Sequence, residues 1–457
     1  MKRFAWRWLV ISSIFAAVAV RAETRPQYGG TLRVTMRAAP ASLDPADSTE
    51  PDSFGRRNLT FLLFDTLVSV ENNGRAEPSL AVSWDVSPDD KRWEFHLRRG
   101  AVFQDGTEVT AESVAASLRA ANPAWRITAG SGSVIIERDN PDAEMLAELA
   151  LARNAIAKRN PDGTPTGTGP FYVTDGQRSK KLTLAANESY WRGRPFLDNI
   201  EIEMGRGYRD QLTELELGKA DVVEVPPELM HRAGLPGRTV VSSPPMELIA
   251  LVFARNAASP DEKTLRDALA LSIERASMRT VLLQGAGQPS ASILPAWMSG
   301  YAFVFPNEAD LPRARRGRGQ VTTASSTWTL GYDNGDALTQ VLAERIALNA
   351  KDAGLTLQPT TSASADIKLV RIALSSTDPW LALGDCAVSA GLPVPSRENG
   401  SIDELYAAEK SLLATQRVIP LFHLPVSYAA APTVRGWSIH GDGTWRLDNA
   451  WLGPARP

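Results

Sequence analysis

Trp93-Glu94-Phe95-His96-Leu97-Arg98-Arg99-Gly100-Ala101-Val102-Phe103-Gln104-Asp105-Gly106, followed by Thr110-Ala111-Glu112-Ser113-Val114, joins a strand signal, a turn signal and a helix start in one short run. Trp93, Phe95 and Leu97 alternate with polar residues, the period of a half-buried strand. Trp84 and Val86 precede the turn-rich Pro88-Asp89-Asp90-Lys91, so the two runs read as a β-hairpin. Asp105-Gly106 reads as a turn. Thr110 is a good N-cap for a helix over Ala111 to Ala120, with Glu112 in its first turn favouring the helix dipole.

Alternation also marks a strand at Thr31-Leu32-Arg33-Val34-Thr35-Met36-Arg37, and Val134-Ile135-Ile136 is a further short strand. An Ala/Leu-rich helix is expected from Asp142 to about Arg153. The Pro/Gly-rich run Pro161 to Pro170 marks a domain junction, and a second lies between Leu235 and Pro245. Between them lie strands at Leu182–Leu184, Ile200–Ile202 and Asp221–Val225, and a helix near Gln211–Leu217 that Gly218 can end. Beyond the second junction, Ser259, Pro260 and Glu262 form a helix start with a capping box, its inward face carrying Leu265, Leu269, Ile273 and Ala276. A helix from Asp336 would bury Leu338, Val341, Leu342 and Ile346 and end at Gly354. Strands at Leu355–Leu357 and Ile367–Ile372 and a helix near Ile402–Ala414 follow. Helices alternating with strands in two separate halves indicate two α/β lobes.

The 457 residues carry 49 basic and 52 acidic side chains, a formal charge of −3, which argues against a protein built to grip nucleic acid. Cys386 is the only cysteine, so an internal disulfide, a CxxC pair and a cysteine-rich zinc site are excluded. At the start, Lys2, Arg3 and Arg7 precede an apolar run from Trp8 to Val20, and Val20-Arg21-Ala22 fits a cleavage site. This is the layout of a secretory signal over residues 1–22. The apolar run is well short of the ~20 residues that span a bilayer. It contains no cysteine, so no lipid anchor on a mature N-terminal Cys is expected. Cleavage removes four cations and no acid, leaving 435 residues at a net −7.

Catalytic signatures are missing. His96, His231, His423 and His440 are scattered, with none at the i,i+4 spacing of a helical zinc site. There is no G-x-S-x-G nucleophile elbow, and Gly218-Lys219-Ala220 lacks the glycine spacing and the hydroxyl of a P-loop. Gly130-Ser131-Gly132 and Gly167-Thr168-Gly169 read as turns. Arg313, Arg315, Arg316 and Arg318 read as a solvated loop. The expectation is a protein that is not an enzyme and uses no cofactor and no metal.

The ordered motifs resemble family 5 extracellular solute-binding proteins, the peptide/nickel-type binding components of ABC importers. The resemblance rests on Gly29-Gly30-Thr31-Leu32-Arg33-Val34, Ser42-Leu43-Asp44-Pro45, Phe64-Asp65-Thr66-Leu67-Val68 and Pro78 to Trp84. It continues through the 93–114 stretch, Gly167-Thr168-Gly169-Pro170-Phe171, Asn187 to Gly193, Leu217 to Asp221, Leu265-Arg266-Asp267-Ala268-Leu269 and Ile419-Pro420-Leu421-Phe422-His423. It implies an α/β, two-lobed periplasmic binding protein fold (type II-like) with an inserted subdomain in the first lobe. The main part of the first lobe would be residues 23–46, 163–240 and 419–457, the insert 47–162, and the second lobe 241–418.

The resemblance further implies a monomer in the periplasm that closes by a hinge over a peptide-like or other small polar solute. Permease subunits in the inner membrane would read closure, and a separate ATPase would drive import. An alternative is a sensory or interaction protein that keeps the fold. Candidate ligand residues, placed by the resemblance, are Thr49 and Glu50 after the first strand, Trp297 and Tyr301 after the Pro295 turn, and Ser375, Asp378 and Trp380 in the second-lobe loop. Each has a plainer reading: exposed loop for Thr49 and Glu50, helix cap for Asp378, core for Trp380. In peptide-binding relatives an acid shortly before the Asp378-Pro379 pair holds the peptide ammonium, and here Ser375 stands in that place. Three stretches also look trimmed: Ala120–Ser131, Leu311–Gln320, which is expected to have lost much of a helix, and the link from Pro379 to Ile402.

Overall fold

Leu32 and Val34 are buried on one face of the strand Thr31–Thr35. The strand lies in parallel pairing between Asn199–Glu203 and Val222–Glu224. The computed structural model describes residues 25–454, apart from 176–179, 236, 302–304, 323–324, 326 and 399. The expected leader, residues 1–22, lies outside the described residues.

Among the described residues eleven strands form one sheet that runs through both lobes, ten in a row and an eleventh, Gln288–Pro289, paired off that row with His423 and Phe422. On the first-lobe side Phe171–Asp175, Lys181–Ala186, Asn199–Glu203, Thr31–Thr35 and Val222–Glu224 follow one another. Two long antiparallel strands, Val418–Ala430 and Thr239–Phe253, then carry the chain across, and Ile367–Ala373, Thr327–Gly331 and Thr356–Thr360 complete the second-lobe side. The crossover strands change partners along their length. Thr239–Ser242 pairs with Ser427–Ala430, whereas Glu247–Phe253 also pairs with Ile367–Ala373. The ladder shifts register between Ser242 and Pro245, again between Pro245 and Glu247, and once more between Ile249 and Ala250, where Pro420 stands opposite. Pro244, Pro245 and Pro425 have no backbone N–H to give, so the ladder is weakest where the chain passes between lobes.

The hairpin expected at 84–97 is the strand pair Ala81–Val86 and Arg92–Leu97, with Trp84 opposite Phe95 and Val86 opposite Trp93. Ser133–Glu137 and Arg126–Ala129 extend it to four strands. The helix Ala111–Ala121 covers one face, closing a core of Phe95, Phe103, Val114, Leu118 and Val134. Thr110 and Ser113 cap each other's backbone N–H.

Five local expectations need correction. The Asp142–Arg153 helix is only Met145–Leu149, followed by a 3₁₀ turn Ala152–Asn154, because the Asn154 side chain takes the Glu148 carbonyl and ends the helix. Glu262 reaches back to the N–H of Ala258 rather than to the cap residue, while Ser259 caps the Glu262 N–H. Ala276 falls outside the helix Pro260–Ser272 and is exposed. Val341 is 43% exposed, so the inner face of Ala337–Asp352 carries Leu338, Leu342 and Ile346 alone of the four. Leu311–Gln320 keeps its helix, capped by Asp310 through the Arg313 N–H. Two of its arginines hold it in place. Arg315 and Arg318 donate to the carbonyls of Asp352 and Gly354 at the C-terminal end of the neighbouring helix, where cations oppose the helix dipole.

Candidate functional site: the cleft between the lobes

A cavity of about 430 Å³ lies where the first lobe meets the loop after Ile367–Ala373. Pockets of ~300–1,000 Å³ suit small molecules. The second lobe contributes Ser375, Ser376 and Thr377. The first lobe contributes Phe61 and Phe64 from the end of the helix Phe54–Leu63, Tyr190 and Arg192, and the hairpin around Asp442, Trp445 and Arg446.

Local chemistry fixes each wall. Asp442-Gly443-Thr444 repeats the turn of Asp105-Gly106-Thr107 and Asp162-Gly163-Thr164. In each, one aspartate oxygen accepts both the N–H and the hydroxyl of the threonine, and the glycine takes a φ above +80° that favours glycine. The turn presents Trp445, which stacks on Tyr428 at 5.5 Å and is 3% exposed. Burial raises the pKa of Asp65, which nonetheless accepts from Trp191 Nε1 at 3.0 Å, Thr168 Oγ1 at 2.8 Å and Tyr190 Oη at 3.0 Å. One carboxyl thereby gathers three separate sequence motifs. Gly167 and Gly169 let the chain lie on the backbone of Leu63, where a Cβ would come within 2.0 Å and 2.4 Å of it.

Arg57 ties the lobes together beside the cavity. It is 4% exposed, pairs with Asp52, and donates to the carbonyls of Leu374 at 2.6 Å and Ala373 at 3.3 Å. Nearer the crossover strands, Arg371 pairs with Glu247 at 2.6 Å and Asp336 at 2.7 Å, and Arg37 of the first lobe pairs with Asp333 of the second. Glu224, its pKa raised by burial, accepts from the Arg37 N–H and from Gln211.

Of the seven candidate residues, Ser375 is the one that lines the cavity. Its hydroxyl is buried without a hydrogen-bond partner. Asp378 accepts the N–H groups of Trp380 and Leu381 as the cap of Pro379–Ser389, and burial raises its pKa. Trp380 is buried in the core with Leu383 and Cys386. Thr49 bonds to Asp47 in an exposed turn, and Glu50 accepts the Ala41 N–H. Trp297 is 42% exposed and donates its indole N–H to the Pro245 carbonyl, at the crossing point. Tyr301 packs edge-on against Tyr406. Sequence alone does not point to Arg57 or Trp445 as residues of the site. The third Asp-Gly-Thr turn is the signal available for Trp445, and no local pattern marks Arg57.

Among the described residues, no group of three or more His, Cys, Asp or Glu side chains is placed to hold a metal ion, and no helix is long and apolar enough to cross a membrane.

The nickel-binding protein NikA of Staphylococcus aureus is 26% identical over 299 residues, 62% of this chain and 59% of that protein. This chain therefore spans about three fifths of that relative's length. The solved structure of the same protein in complex with Ni(L-His)2 superposes with a TM-score of 0.81 at 18% identity, over 92% of this chain and 99% of the other. The dipeptide-binding protein of Pseudoalteromonas sp. SM9913, in complex with Met-Leu, gives 0.79 at 17% identity, over 93% and 100%. These likenesses show the two-lobed fold, and the different ligands of the two complexes leave this chain's ligand open. The model of the bacterial extracellular solute-binding proteins, family 5 Middle, matches residues 75–378, and the chain belongs to that family.

Proposed function

We propose that this chain is the extracytoplasmic solute-binding component of an ABC importer. It captures a small polar solute between its lobes and presents the closed form to permease subunits served by a separate ATPase. One observation carries the reading: the two lobes are joined by strands whose ladder is interrupted at prolines, and both lobes line one cavity. A ligand held by both walls stabilises the closed arrangement by its preference for it.

The proposed lobe division is the one expected from sequence: 23–46, 163–240 and 419–457 with the insert 47–162, against 241–418. Residues 1–22 are proposed as a cleaved signal, giving a monomeric periplasmic protein without a lipid anchor. It acts as a carrier and not as an enzyme, a reading supported by its membership of a family of solute-binding proteins. Seating of the solute against Ser375 is part of the proposal; Thr49, Glu50, Trp297, Tyr301, Asp378 and Trp380 would act through the loops and cores that shape the cleft.

Native mass spectrometry of freshly purified mature protein tests the reading. A copurified solute in a 1:1 complex is expected. Added back at about a hundred times its Kd, it should stabilise the fold by about 2.7 kcal/mol. Failure to find any solute that binds would contradict the reading.

A further inference from the structure

We propose that the cleft takes a neutral, hydroxyl-rich solute, a saccharide or polyol, rather than one with a free ammonium group. The inference deepens the solute-binding reading and rests on it. Two residues that line the cavity each carry a buried polar atom without a hydrogen-bond partner, the Ser375 hydroxyl and the Trp445 indole N–H, so a small shift of either wall on binding would bring them to a ligand. Their residues are 6% and 3% exposed and come from opposite lobes. Buried polar groups are costly unless partnered, so two such groups on one cavity mark where a ligand supplies the partners.

The chemistry of the pair restricts the ligand. An indole N–H only donates, so the ligand must offer it an acceptor. A serine hydroxyl both donates and accepts. Ser376 already accepts the Asp378 N–H at 3.0 Å, which leaves its own proton to donate. A hydroxyl group meets all three demands, whereas an ammonium only donates and cannot serve Trp445.

At the backbone carbonyls just before Ser375, charge points the same way. The carbonyls of Ala373 and Leu374, acceptors suited to a cation, are taken by the Arg57 guanidinium. A second cation there would meet a resident one. An anion would face Asp65, Glu71, Glu77, Asp442 and Asp448, which outnumber Arg192 and Arg446 along the walls. The rings of Phe61, Phe64, Tyr190 and Trp445 supply the apolar surface on which the C–H faces of a sugar can rest.

Calorimetric titration tests this with glucose, cellobiose, maltose and mannitol, set against Ala-Ala and the nickel–histidine complex, together with any solute found by mass spectrometry. The expected result is binding of a saccharide or polyol, weakened roughly five- to ten-fold by Ser375→Ala and by Trp445→Phe. Ser375→Ala should not lower the melting temperature of the free protein, since it removes an unpartnered group. Trp445→Phe keeps the stack on Tyr428 but gives up buried ring volume, so it should lower the melting temperature modestly, and its binding is measured well below that temperature. Binding of the dipeptide or the nickel complex without any saccharide or polyol would overturn the inference and leave the solute-binding reading standing. So would saccharide binding that both substitutions leave unchanged. No binding in the panel and no copurified solute would overturn both.

Discussion

Pro245 stands opposite Pro425 in the register of the two crossover strands, at the point where each changes partners between lobes. Neither residue can donate to the ladder, and Pro244 adds a third missing N–H. Around them side chains replace backbone bonds: the Val426 N–H goes to the Ser243 hydroxyl, and the hydroxyls of Ser242 and Ser427 meet at 2.7 Å. The ladder between the two crossover strands thus has fewest backbone bonds where the chain passes between lobes, which is the property a hinge needs.

Hydrogen exchange followed by mass spectrometry reads this directly. Amides in segments 242–247 and 424–427 should exchange about a hundred-fold faster than those in 248–253 and 418–423, which belong to the stable ladder. Equal protection along both strands would remove the hinge.

Gly169 and Gly319 make a matched test of backbone approach. A Cβ on Gly169 would sit 2.4 Å from the Leu63 carbonyl carbon and 2.6 Å from the Phe64 nitrogen, atoms that cannot swing away. Gly169→Ala should cost about 3 kcal/mol, seen as a lowered melting temperature. Gly319 lies in the helix Leu311–Gln320 with nothing within 4 Å of its Cβ position, so Gly319→Ala should stabilise by up to about 1 kcal/mol.

The same residues show what sequence can and cannot convey. Alternation at Thr31–Thr35 and Arg92–Leu97 and the Thr110 cap are legible because each is a local pattern with a local cause. The order of the Asp65, Gly167–Gly169 and Tyr190–Trp191 motifs is legible as well. Their meeting on one carboxyl is not, because it depends on contacts more than a hundred residues apart in the chain. Arg57 is hidden for the same reason, its carbonyl partner lying 317 residues further on. The Leu311–Gln320 helix escapes a sequence reading because four arginines and two glycines mask its period, and tertiary contacts to the next helix supply what propensity lacks.

Glu409 is buried and accepts the N–H groups of Ile293 and Leu294 on one oxygen, and burial pushes its pKa up to about 7. A carboxyl raised in the folded state binds its proton more tightly there than when unfolded. Its contribution to stability therefore falls as pH rises from its ordinary value toward 7. Glu409→Gln keeps the accepting oxygen and removes the charge. Chemical denaturation should show the variant equal to the parent below pH 4 and more stable by up to about 3 kcal/mol above pH 8. His423, lowered by burial to about 4, acts with opposite sign in the parent and cancels in the comparison. An E409Q variant no more stable at pH 8 would contradict the buried, raised carboxyl.

Arg37 and Asp333 bridge the lobes through partly exposed side chains, 29% and 57% exposed, so their pair is worth less than about 1 kcal/mol. Arg37→Ala should reduce the closed population of the free protein by up to about five-fold. Small-angle scattering would show a larger radius of gyration, and about 0.5 M salt should shift the parent in the same direction by screening the pair.

Closure of the two lobes over one solute, held by both walls of the cleft, is the event on which the proposed function depends. Small-angle scattering of the mature protein, with and without its copurified solute at saturation, measures this most directly. A smaller radius of gyration in the loaded form, reversed on removing the solute, is the predicted result. A saturating solute that leaves the radius unchanged from an open, free form would contradict it.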